Sequence, residues 1–176
     1  MTVRCQSILG ACALLALTVT PATVFGQQGQ DPDLAKQKQT IVDIRNVGTA
    51  MYSWLTDQVA AQKKHEGSSD KPKKEAEEPN SVDMGDVPQI SREELAKVLV
   101  PTYIASLPEK DGWGNPYEFH LNVKEPMSHH VMEIRSGGRD GRFSGDVYEI
   151  GSFNPPDYDQ DITWVDGYFV RWPQRK

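Results

Sequence analysis

The chain has 176 residues, with 19 Lys and Arg against 25 Asp and Glu, four His and two Cys, for a formal charge of −6 at pH 7. That length holds one domain with appendages. An acidic chain without a basic stripe argues against nucleic acid, whose binding depends on neutralising phosphates, and against docking on anionic lipid; cations are the more natural small partners.

Residues 1–26 read as a signal peptide. Arg4 is the only charge before Asp31, an apolar run extends from Ile8 to Val19, and Val24-Phe25-Gly26 offers a cleavage site. An uncleaved anchor is the alternative. The apolar run, however, falls short of the roughly 20 residues needed to cross a bilayer, so no stable membrane span is expected. Cys5 and Cys12 both lie in this leader. A mature chain beginning near Gln27 therefore has no thiol, and is expected in the periplasm or another extracytoplasmic compartment without disulfides. Loss of Arg4 leaves 18 Lys and Arg against 25 Asp and Glu, a balance of −7.

Residues 27–176 are expected to form the domain. Asp31 can cap a helix whose first position suits Pro32. Leu34, Ile41, Ile44, Val47, Met51, Trp54, Leu55 and Val59 recur at spacings of three, four or seven. Lys36, Lys38, Asp43, Arg45 and Asp57 fall on the other faces. This predicts an amphipathic helix of about 30 residues, roughly 45 Å long. Its apolar stripe must rest on something.

Across residues 61–88, Lys, Glu, Ser, Pro and Asp dominate and no aromatic occurs. Such a segment buries too little apolar surface to offset its ordering entropy, so a flexible polar surface loop is expected there. Ser91 and Glu94 then form a capping box, with Ile90 and Leu95 as its hydrophobic staple, and Pro101 stops the short helix that follows. Beyond it the pattern alternates. Tyr117, Phe119, Leu121 and Val123 share one strand face and Glu118, His120 and Asn122 the other. Met132 with Ile134, and Tyr168 with Val170 and Trp172, repeat the alternation. The fold class is α+β, a long N-terminal helix packed on a small antiparallel β-sheet.

The stretch KDGWGNPYEF, Lys110–Phe119, joins two glycines, an Asn-Pro pair and three aromatics. It holds no nucleophile with a base beside it. We read it as a structural bolt, with Trp113 turned inward where the helix crosses the sheet.

Four blocks carry a family resemblance: DIRNVGTAMYSWLTDQ (Asp43–Gln58), VPTYIASLPEKDGWGNPYEF (Val100–Phe119), RSGGRDGRF (Arg135–Phe143) and DQDITW (Asp159–Trp164). In that order they resemble the major pseudopilin, the G subunit, of type II secretion systems, over roughly Asp33 to Trp164. The family has a similar helix pattern, a leucine-proline turn, a W-G-N-P-[YF] segment, a strand, an S-x-G-x-D-G loop and a D-x-D-I-x-W/F end. The chain departs from it in its leader: the apolar run precedes the presumed cut, and no glutamate stands at the fifth mature position. Gly112 replaces a proline common before the tryptophan, the polar loop replaces a short segment, and DGYFVRWPQRK adds a strand after Trp164.

Asp157, Asp159 and Asp161 alternate, and Asp140 lies in SGGRDG. Ile162 and Tyr168 stand where an EF-hand would have its turn glycine and bidentate glutamate. On the residues alone these aspartates read as turn formers. The resemblance implies instead a Ca²⁺ site, with carboxylates from Asp140, Asp159 and Asp161 and an oxygen from Ser136.

His129-His130 reads as an ordinary polar pair, because adjacent strand residues face opposite ways. His120 is placed on the solvent face of its strand, and His65 in the polar loop. No H-E-x-x-H, G-x-S-x-G, C-x-x-C or P-loop spacing occurs, and no pair of acids is singled out. The expected function is non-enzymatic: protein–protein interaction beside a type II secretion or type IV pilus-like machine, with calcium fixing a loop. The alternatives are a free-standing periplasmic binding module and, third, a carboxylate-based hydrolase.

Overall fold

The computed structural model describes residues 31–63 and 80–174. The leader expectation for residues 1–26 and most of the polar loop lie outside the described residues. The fold is α+β. Helix α1 (Pro32–Lys63) is followed by β1 (Ser81–Asp83), β2 (Gln89–Ile90), α2 (Arg92–Leu99), β3 (Glu118–Leu121), β4 (Met132–Ser136), β5 (Val147–Glu149), β6 (Gly151–Phe153), β7 (Ile162–Val165) and β8 (Tyr168–Pro173). The main sheet runs β2-β3-β4-β7-β8-β6, antiparallel except for the β6–β8 pair. A separate ribbon pairs β1 with β5.

Both helix starts follow the sequence signals. Asp31 Oδ1 accepts the Asp33 N–H at 3.0 Å. The capping box of α2 is complete: Ser91 Oγ accepts the Glu94 N–H and Glu94 accepts the Ser91 N–H. Asp31 and three acids of α1 also hold aromatic side chains from elsewhere. Tyr158 donates to Asp31, Trp113 Nε1 to Asp33, Tyr117 to Asp43 and Tyr103 to Asp57.

The sheet has a core on each face. On one side, Ile44, Val47, Met51 and Trp54 of α1 and Leu95 and Leu99 of α2 bury Phe119, Met132, Ile134, Ile162 and Trp164. On the other, Val82, Met84, Val87 and Tyr148 cover Val165 and Val170. This second layer corrects the polar-loop expectation at both ends. Helix α1 runs on through Lys63, and residues 80–88 contribute β1 and three buried apolar side chains.

Covering both faces also relocates two groups. His120 is buried rather than solvent-facing, with Nδ1 2.8 Å from the Val87 carbonyl. His129 and His130 precede β4 instead of lying in a strand, so the opposite-faces argument does not apply. Their rings meet edge-on at 4.4 Å, and His130 Nδ1 sits 2.8 Å from Asp166 Oδ2.

The tryptophan that meets the helix where it crosses the sheet is Trp164, not Trp113. The Trp164 ring lies so close to α1 that a Cβ on Gly48 would stand 2.7 Å from it. Trp113 is half-buried near the helix start, its ring 6.2 Å from Tyr158.

Candidate functional site

The KDGWGNPYEF stretch is a turn closed by Asp111. Its Oδ1 accepts the N–H groups of Trp113 (3.0 Å) and Asn115 (2.9 Å), and its own N–H donates to the Asn115 carbonyl at 2.8 Å. Asp111 Oδ2 accepts the Ser136 hydroxyl at 2.7 Å. Thr40 on α1 accepts the Gly112 N–H at 2.9 Å, and a Cβ on Gly112 would fall 2.2 Å from the Lys36 carbonyl oxygen. Only glycine permits that approach. From the other side, Asn115 Nδ2 donates to the Gly138 carbonyl at 2.8 Å. The turn thus joins α1 to the end of β4, which is the bolt read from the sequence with a different residue at its centre. Asp111→Ala, which strips three acceptor contacts from a buried turn, is expected to cost about 2–3 kcal/mol in urea unfolding.

The four expected cation ligands do not converge. Ser136 lies on the helix side of the sheet, bound to Asp111 and accepting the Gly138 N–H at 3.2 Å. Asp159 is exposed and paired with Arg139 through two contacts of 2.8 Å. That ion pair holds its carboxyl below the usual range. Asp140 accepts the Arg142 N–H at 2.9 Å, the turn-forming role.

Asp161 is the exception. It is 3% exposed; Oδ2 accepts the Ser144 N–H at 2.9 Å, and Oδ1 has no hydrogen-bond partner among the described residues. Burial raises its pKa, with the nearby charge of Asp140 acting in the same direction. An orphaned, buried carboxylate oxygen beside a second acid is a place a cation would relieve. Among the described residues no group of three or more His, Cys, Asp or Glu is arranged to hold a metal. A fit therefore rests on Asp161 and Asp140 with other oxygens completing the shell, and excludes Asp159 and the Ser136 hydroxyl as they stand.

Alternation places Asp161 on the face away from α1, together with Thr163, Glu133 and Arg135. Sequence reasoning missed this buried polar cluster. Arg135 Nη2 donates to Glu118 at 2.7 Å, and Nη1 reaches Asp146 (3.0 Å) and the Tyr148 hydroxyl (2.7 Å). Against the desolvation that would raise it, Arg135 and His120 hold the Glu118 carboxyl low. Glu133 feels the same two charges only at longer range, and burial outweighs them. It is fully buried with neither oxygen hydrogen-bonded among the described residues, and His120 Nε2 stands 3.8 Å away. Burial pushes its carboxyl up to about 7. The signal for this cluster was thin: a strand reading MEIRS alternates normally, and nothing in it says that the polar face is covered.

No family model, curated protein or solved structure matches the chain. No helix among the described residues is long and apolar enough to cross a membrane.

Proposed function

We propose that this chain is a non-enzymatic, exported, pseudopilin-like domain that works through protein–protein contacts beside a type II secretion or type IV pilus-like machine. The observation that carries the reading is the mutual contact of the blocks that resemble the pseudopilin family. The W-G-N-P turn meets the S-G-G-R-D-G loop through Asn115 and Gly138, and meets β4 through Asp111 and Ser136. The D-Q-D-I-T-W block pairs with β4 along Ser136↔Ile162 and Ile134↔Trp164, and the long helix lies over both. Blocks that were dispersed in the sequence form one contiguous unit. A pull-down of the tagged chain from its native envelope, read by mass spectrometry, tests this. Secretion-machinery components are expected in the eluate, and their absence across crosslinked and native preparations overturns the proposal.

A Ca²⁺ ion belongs to this reading as a loop fastener. Asp161 and Asp140 would hold it, and its charge would neutralise a carboxylate that burial disfavours. Calcium takes six to eight oxygens, so loop carbonyls and water would complete the set. Binding to the folded state alone stabilises by about 2.7 kcal/mol at one hundred times Kd. The melting temperature is expected to rise by about 5–10 °C in millimolar Ca²⁺ relative to EDTA. Asp161→Asn should abolish the rise, whereas Asp159→Ala should leave most of it. A melting curve indifferent to EDTA removes the ion from the reading.

The second reading, a free-standing extracytoplasmic binding module, is favoured by a groove of about 690 Å³ between α1 and Pro155, Pro156 and Pro173. Recovery of an unrelated partner in the same pull-down would favour it.

A further inference from the structure

Beside the buried stripe, and sharing the part-buried Leu34 and Ile41 with it, helix α1 carries a flank that lines open grooves. Leu34, Lys38, Ile41, Val42, Arg45, Thr49 and Tyr52 line successive grooves along it. At 1.5 Å per residue this flank runs about 27 Å. Val42 is 45% and Tyr52 51% exposed, so this is apolar surface in water. The facing wall is aromatic and proline-rich: Phe169, Trp172 and Pro173, then Pro155 and Tyr158.

The groove lining carries two acids and two bases, and they are segregated along the helix: Asp31 and Asp166 lie at its ends, with Lys38 and Arg45 between them. The acids at its ends are already engaged: Asp31 accepts the Tyr158 hydroxyl at 2.6 Å, and Asp166 accepts the N–H groups of Val131 and Met132. The bases are not. Arg45 contributes to all three grooves, and its guanidinium lies 5.8 Å over the Phe169 ring. Neither it nor Lys38 makes an ion pair among the described residues, although the chain carries −6 overall. A guanidinium over an aromatic face still has N–H groups free to meet a carboxylate.

We propose that this groove is a docking site for an acidic amphipathic segment of a partner protein, whose apolar side chains pack between α1 and the Trp172–Pro173 wall and whose carboxylates meet Arg45 and Lys38. Interfaces favour this composition, an aromatic and apolar floor with arginine at the recognition point. The site is independent of any role in secretion.

The test uses the full chain and a fluorescein-labelled amphipathic peptide built from Glu and Leu, about 18 residues long to match the flank as a helix. A control peptide carries Lys at every Glu position. The acidic peptide is expected to bind at least about tenfold more tightly than the control, with Arg45→Glu weakening it about tenfold or more and added salt weakening it further. Lys124→Glu, at an exposed base outside the groove lining, should leave binding unchanged; circular dichroism checks that each variant is folded. Equal affinity for the two peptides, or an Arg45→Glu variant that binds as wild type, overturns the proposal. Sedimentation of the chain alone adds a second arm. Self-association broken by Arg45→Glu would make a second copy the occupant and likewise overturn it.

Discussion

Trp164→Ala is expected to cost about 3–5 kcal/mol, the range for truncating a large buried aromatic. The ring is 5% exposed and sits between Gly48 of α1 and the neighbouring strands. The same contact reverses the usual effect of another substitution. In an unencumbered helix Gly→Ala gains about 1 kcal/mol. Here the added methyl would stand 2.7–2.9 Å from three indole carbons, and overpacking of this kind costs about 1–3 kcal/mol. Gly48→Ala should therefore destabilise the wild type yet be neutral or stabilising in a Trp164→Leu background. Urea unfolding of the four proteins gives the coupling directly. If Gly48→Ala stabilises the wild type, the ring does not lie against the helix.

The second large effect depends on pH. Glu133 is placed between the main sheet and the β1–β5 ribbon, facing Glu118 and His120 from β3, Arg135 from β4, and Asp146 and Tyr148 from the β5 side. A carboxyl raised from 4.5 to about 7 binds its proton more tightly in the folded state than in the unfolded one. Its contribution is therefore fully present below pH 4.5 and is lost as pH rises through about 7, a loss of about 3 kcal/mol. Asp161, also raised, adds a slope of the same sign, and Glu118, lowered, opposes it. The informative quantity is therefore the difference between wild type and Glu133→Gln. That difference should grow in favour of the variant by about 3 kcal/mol between pH 4.5 and 8. Parallel stability profiles across that range would show that the carboxylate finds water or a partner.

Legibility in the sequence followed local signals. The α1 cap, its buried stripe and the Ser91–Glu94 box depend on residues a few positions apart, and each is found where the pattern places it. The alternation of Phe119 and Leu121 likewise marked the face that packs on α1. What could not be read was the cover on the opposite face. Val82, Met84 and Val87 are single apolar residues in a polar context, and they acquire meaning only when β1 meets β5. Without that layer, the alternation of β3 puts His120 on a solvent face, and nothing in MEIRS marks Glu133 and Arg135 as covered. At the candidate site, the residues alone read as turn formers, and the family resemblance grouped Asp140, Asp159, Asp161 and Ser136. A motif match does not say which face each side chain takes, and the structure separates Ser136 and Asp159 from Asp161. Asp111, the residue that organises the turn, was hidden by its more conspicuous neighbour Trp113.

The pairing of β1 with β5 also bears on the order in which the molecule assembles. Ser81 pairs with Glu149, so the ribbon closes a segment holding β2, α2, β3 and β4, whereas β3, β4, β7 and β8 are joined by shorter connections. Long closures are entropically disfavoured until their contacts are made. Ribbon docking is thus expected to be a late event in folding, and it is the event that withdraws Glu133 from water. Refolding above pH 7 must then either desolvate a charge or take up a proton at that step. Stopped-flow refolding should slow as pH rises through about 7, and the slowing should vanish in Glu133→Gln.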